Sequence, residues 1–147
     1  MIRSATGIRC AVLTTLFAGV ALGQQRSIVI RALDGKTGKP LANQRLVGFG
    51  GKSEGDARFK QSSFEATTAK DGTAVVTIGP GTQWIQVWVD RLTLCQDKPN
   101  FRAFRVDTIA ATGDSSPNQC GRVAVKNIPG TFTVFARTPT WREKMEW

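Results

Sequence analysis

Two segments of this chain alternate apolar and polar residues around tight polar turns, and that pattern limits the fold more than any other feature. The first, Ser27 to Asn43, reads SIVIRALDGKTGKPLAN; the second, Phe64 to Asp90, reads FEATTAKDGTAVVTIGPGTQWIQVWVD. A period of two puts every second side chain on one face of a strand, so both segments predict antiparallel β-structure. In the first, Ile28, Ile30 and Ala32 share one face, opposite Val29, Arg31 and Leu33. Gly35 and Gly38 permit a turn, and Pro40 begins the return. In the second, Phe64, Ala66 and Thr68 share a face. Asp71-Gly72 is a hairpin signal leading into Ala74, Val76 and Ile78. After a second hard turn at Gly79-Pro80-Gly81, Ile85, Val87 and Val89 point inward and leave Trp84, Gln86 and Trp88 on the opposite face.

The remaining segments are read the same way. Gln44 to Phe49 predicts a strand with Leu46 and Val47 in the apolar layer, and Gly48, Gly50 and Gly51 predict a bend or bulge after it. Lys52 to Ser63 is polar with charges of both signs, which predicts an exposed loop. Asp107 to Gly113 predicts one short helix near 107–112, with Asp107 as its N-cap and Gly113 at its end. Asp114 to Gly121 reads as a loop, Arg122 to Lys126 as a short strand, and Gly130 to Arg137 as the final strand. Thr140 can cap a short C-terminal helical turn over Trp141 to Trp147. About seven short strands with closely spaced turns predict an all-β fold, an antiparallel β-sandwich.

The N-terminus reads as a processing signal. Arg3 and Arg9 precede the apolar run Cys10 to Leu22, and Ala21 and Gly23 are small residues at the −3 and −1 positions. Residues 1–23 are therefore expected to be a cleaved signal peptide, leaving 24–147 as one domain, secreted or periplasmic, with no transmembrane span after cleavage. Without Arg3 and Arg9, eighteen Lys and Arg face eleven Asp and Glu, a net charge of +7. That charge suits acidic glycans, an anionic envelope surface or an acidic protein. Export argues against nucleic acid as a partner. The basic residues are also spread along the chain, as on an ordinary solvated face.

Signal cleavage removes Cys10 and leaves Cys95 and Cys120. Two cysteines in an oxidising compartment are expected to form one disulfide. The chain contains no His, so a zinc site would have to draw its remaining ligands from carboxylates. No metal and no cofactor is expected.

Gly38-Lys39-Pro40-Leu41-Ala42-Asn43, then Thr68-x-x-Asp71-Gly72-x-Ala74, then Ile78-x-Pro80-Gly81, resembles the carboxypeptidase regulatory-like modules of exported bacterial proteins. The resemblance covers Ser27 to Val89 and implies a prealbumin-like (transthyretin-like), immunoglobulin-like sandwich acting as a non-catalytic accessory or structural domain. Residues 24–90 would be the module-like half, and 91–147 a disulfide-bearing elaboration. Transthyretin-like hydrolases use His, which this chain cannot match.

Without His, a Ser-His-Asp or Cys-His site cannot form. Asp90, Asp97, Asp107 and Asp114 all flank turns, where carboxylates ordinarily cap and bridge. The expectation is therefore a binding or structural module rather than an enzyme. Two aromatic features can bind. Trp84 and Trp88 would form a sugar-stacking platform if their face is open, or pack in the interior if it is not. Trp141, Met145 and Trp147 form an amphipathic tail. It would either dock on the sandwich or meet a protein partner or membrane interface, with Arg142 and Lys144 suited to an anionic surface.

Overall fold

A computed structural model describes residues 25–58, 62–96 and 102–145. The expected signal peptide with Cys10, the polar turn around Asp97, and Trp147 lie outside the described residues. The fold is an all-β sandwich of two sheets. Its strands are β1 (Arg26–Asp34), β2 (Arg45–Gly51), β3 (Ser62–Thr67), β4 (Thr73–Ile78), β5 (Trp84–Val89), β6 (Thr93–Leu94), β7 (Phe104–Arg105), β8 (Asp114–Ser115) and β9 (Thr131–Arg137). Among the described residues three short helices, α1 (Glu54–Arg58), α2 (Val106–Thr112) and α3 (Trp141–Met145), accompany the strands. The strand count exceeds seven because β6, β7 and β8 are two-residue pairings too short to leave a periodic signature.

One sheet runs β4-β1-β9-β6, with β8 also on β9; the other runs β3-β2-β5-β7. The inner faces are those the alternation marks. Ile28, Ile30, Ala32, Val76, Ile78, Phe132, Val134 and Ala136 on one sheet meet Leu46, Ile85, Val87 and Val89 on the other, all buried. Helix α2 closes one end with Val106 and Ile109, both fully buried, and Phe104 packs on Phe132 with ring centroids 4.5 Å apart.

The turns do something other than the sequence pattern predicts. Asp71-Gly72 is not a hairpin: β3 belongs to one sheet and β4 to the other. Gly79 to Gly81 likewise leads from one sheet to the other, and so does Asp34 to Gly38, although there the chain first returns as expected, Pro40 bridging Leu33 antiparallel. Turn chemistry sets local geometry. Asp71 Oδ1 accepts from the Thr73 backbone N–H and hydroxyl, and Asp34 Oδ1 accepts from the N–H groups of Lys36 and Thr37. It does not set which strand becomes the neighbour. Nor is the sandwich wholly antiparallel. β9 runs parallel to β1 and to β8, because strands not joined by a tight turn are free of the hairpin constraint.

Four local expectations are corrected. Gly48, Gly50 and Gly51 do not bend the chain away; β2 pairs in register with β3 and β5 through them. Gly48 is glycine because the Phe64 ring lies across it: a Cβ there would stand 1.9 Å from Phe64 Cζ. The stretch from Lys52 is not simply an exposed loop. Ser53 Oγ accepts from the Asp56 N–H, Glu54 pairs with Arg58 one turn on, and α1 buries Ala57 against the sheet. Asp107 is not the N-cap of α2. Arg105 occupies that position, and Asp107 sits in the first turn, paired with Arg26. That guanidinium holds the Asp107 carboxyl below the usual range. Finally, Arg122 to Lys126 forms no strand. Val123 and Val125 are half-buried against Leu33, Cys95 and Phe135, so their alternation reports packing on the outside of a sheet rather than a hydrogen-bonded ladder.

The Cys95–Cys120 disulfide is formed, with Cα atoms 5.2 Å apart. It lies at the end of the sandwich opposite α2, beneath the Asp34 turn. A Cβ on Gly35 would fall 2.5 Å from Cys95 Sγ, so Gly35 serves close packing rather than the turn itself. Asn118 Nδ2 donates to Gly35 O at 2.8 Å and to Val123 O at 3.0 Å, binding the Asp34 turn to the disulfide loop.

Candidate functional site

The sequence marks two surfaces. The first is the outer face of β5, and it is not an open platform. Trp84 and Trp88 are both half-buried, and Gln86 between them is buried. Trp88 packs against the edge of the core, and the Arg105 guanidinium sits 5.9 Å from the Trp84 ring centroid. Helix α1 lies against β2 and β5 on this side. A Cβ on Gly51, the residue opposite Trp84, would meet the Ala57 backbone at 2.5 Å.

The second surface is the C-terminal helix. Here the reading in which the tail docks on the sandwich is corrected: Trp141 is 66% exposed and Met145 76%. They stand four residues apart, one turn of helix, and so share a side. What docks instead is Glu143. Arg137, the last residue of β9, donates from Nη2 to Glu143 Oε1 at 2.6 Å and from Nη1 to Oε2 at 2.9 Å. Glu143 Oε2 also accepts the Thr140 backbone N–H at 2.7 Å, the reach-back of a capping box. The Arg137 fork, followed by the Thr140 N–H, lowers the Glu143 carboxyl to about 2. A planar fork on a carboxylate fixes orientation as well as position. The helix is thus mounted rigidly on the end of a central strand with its acid turned inward. Arg142 and Lys144 are left facing solvent, with Arg142 5.4 Å from the Trp141 centroid.

Beside α3 opens a cleft of about 260 Å³, lined by Gln96, Gln119, the Cys95–Cys120 bridge, Arg137 and Glu143. Gln96 is 7% exposed, and its Oε1 has no hydrogen-bond partner among the described residues. That oxygen is itself enclosed, so the polar groups the cleft offers a ligand are those of Gln119, Arg137 and Glu143. Nothing in the sequence announces this site. Its walls come from β6, the disulfide loop, β9 and α3, which only the fold brings together. The one local signal was Thr140-x-x-Glu143, the capping box that mounts the helix.

Among the described residues no helix is long and apolar enough to cross a membrane. No protein-family model, curated protein or solved structure matches the chain.

Proposed function

We propose that this protein is an exported, non-catalytic interaction module that docks a polypeptide partner at the α3 end of its sandwich. One observation carries the reading: a helix fixed by a two-pronged ion pair and a capping box presents Trp141 and Met145 to solvent. Exposed aromatic and thioether side chains on a rigid mount are the anchors that interfaces use. The adjoining cleft, lined by Gln119, Arg137 and Glu143, suits the polar groups of a polypeptide better than an acyl chain. Arg142 and Lys144 favour an acidic partner surface. The absence of His supports a binding role over a catalytic one, and the Arg3 to Gly23 pattern and the disulfide support export. Kinship with carboxypeptidase regulatory-like modules rests on the turn motifs and agrees with an accessory role. A glycan platform at Trp84 and Trp88 requires an open face, where α1 and Arg105 now lie.

The test is a photo-crosslinking residue placed at position 141, with position 128 as an exposed control, in cells exporting the protein. A discrete protein adduct from 141 alone, suppressed by Met145→Ala, is expected. Equal adducts from both positions would sink the reading. So would co-sedimentation with phosphatidylglycerol vesicles that Trp141→Ala/Met145→Ala abolishes, without any protein adduct.

A further inference from the structure

The sheet edges of this sandwich are unequally protected. β3, one edge, carries Glu65 in an ion pair with Arg45. β6 and β7 are two residues long. β4 is different: its sequence, TAVVTI, is six residues without charge or proline, and Val75 at its centre is 69% exposed. Charges, prolines, bulges and shortness are the usual guards against edge pairing, and β4 has none of them.

The free backbone groups of β4 can be assigned. In an extended strand, successive residues turn their N–H and C=O to opposite edges. Ala32 N donates to Gly72 O, while Val29 N donates away from β4, to Gly130 O. Ala74, Val76 and Ile78 therefore face β1, and Thr73, Val75 and Thr77 face outward, in the register that pairs Ile28 with Val76. Thr73 is already occupied: its N–H donates to Asp71 Oδ1 and its C=O accepts from Ala69 N. Val75 and Thr77 remain.

We infer that β4 pairs antiparallel with β4 of a second copy of this chain, with Val75 opposite Thr77 of the second copy and the two-fold axis at Val76. This register uses both free residues of each strand and no others. Each Val75–Thr77 pair exchanges two N–H···O bonds, about four in all. It also keeps faces matched: Val75 and Thr77 lie on the outer side, and Ala74 meets Ile78 of the second copy on the inner side. The alternative centred on Val75 would set Thr77 against the occupied Thr73. Two β-branched residues facing each other across the outer side are a favourable cross-strand pair. No charged residue of β4 opposes a like charge, so the obstacle is the net positive charge of each copy, which added salt screens.

Sedimentation equilibrium of the purified protein, across concentration and at two salt levels, is the test. It is combined with residue-resolved amide exchange. A monomer–dimer equilibrium strengthened by salt is expected, with protection at Val75 and Thr77 rising with concentration while Thr73 stays constant. Val75→Lys and Thr77→Pro should each weaken association at least about tenfold. The proline removes an N–H the monomer does not use, so circular dichroism stays unchanged; Trp141→Ala/Met145→Ala should leave the dimer intact. A protein that stays monomeric at every concentration overturns the inference and leaves the edge to a strand from another protein. A dimer indifferent to both β4 variants overturns it as well.

Discussion

Replacing Gly48 with Ala should be among the most damaging small changes in the chain, and removing the Phe64 ring should rescue it. Gly48 lies on the inner side of β2, opposite Phe64 on β3 and Val87 on β5. An added Cβ would fall 1.9 to 2.3 Å from three carbons of the Phe64 ring. The ring cannot simply tilt aside, because it packs against the buried core. Either β3 is pushed off β2 or the ring is expelled to solvent. Overpacking a filled interior costs about 1–3 kcal/mol, and an overlap with three ring atoms belongs at the upper end, about 3. Phe64 is only half-buried, so Phe64→Ala should cost about 2 kcal/mol, less than the 3–5 of a fully buried ring. With the ring gone the Gly48 methyl has room, and Ala is better than Gly in a strand by about 0.5–1 kcal/mol. The double variant should therefore lose about 1–1.5 kcal/mol, where additivity would give about 5. Urea unfolding of the four proteins, with the disulfide intact and tryptophan fluorescence as the signal, measures this directly. Losses that add to within about 0.5 kcal/mol would refute the steric account and return Gly48 to the bend its sequence context suggests.

Three other outcomes are expected. Cys95→Ala/Cys120→Ala opens a loop of 25 residues and should lower stability by about 3.5 kcal/mol in the same urea assay; a loss under about 1 would mean that packing alone holds this end. Gly35→Ala places a methyl 2.5 Å from Cys95 Sγ and should cost about 1–3 kcal/mol, shrinking once both cysteines are alanine, as a double-mutant cycle will read. Glu143 is held at about 2, below its ordinary 4.5, so its stabilisation of α3 is complete above pH 4.5 and is lost as pH falls through about 2. A carboxyl-carbon NMR titration of Glu143 with a midpoint above 4 would contradict the Arg137 pairing.

What could be read in the sequence was what local chemistry decides. Ile28-x-Ile30-x-Ala32, Ala74-x-Val76-x-Ile78 and Ile85-x-Val87-x-Val89 announce their inner faces because a sandwich buries one side of every strand. The disulfide followed from counting cysteines. Partner choice was hidden, since Asp71-Gly72 shapes a turn equally well within a sheet or between two. Helix α1 was hidden because its apolar contribution is a single residue, Ala57, beneath charged neighbours. Gly48 misled because absence of a side chain records the neighbour's bulk, and Phe64 lies 16 residues further along the chain (64 − 48 = 16).

The functional surface shows the same division more sharply. Trp84 and Trp88 stand in strong alternation and invite attention, yet the fold covers much of their face. Trp141 and Met145 lie in a short polar tail, and a five-residue helix has no stability of its own in water. Its exposure is meaningful only because Arg137 and Thr140 fix Glu143 beneath it. Had the helix served merely to cover the end of the sandwich, its apolar side would face the cleft and its charges would face solvent. The arrangement differs on both counts: the acid faces in, and Trp141 and Met145 face out beside Arg142 and Lys144. A mount that orders a helix while leaving its apolar side exposed is what the proposed docking role requires. The entropy of ordering the helix backbone would then be largely met before any partner arrives, which is how a small patch can become an effective anchor.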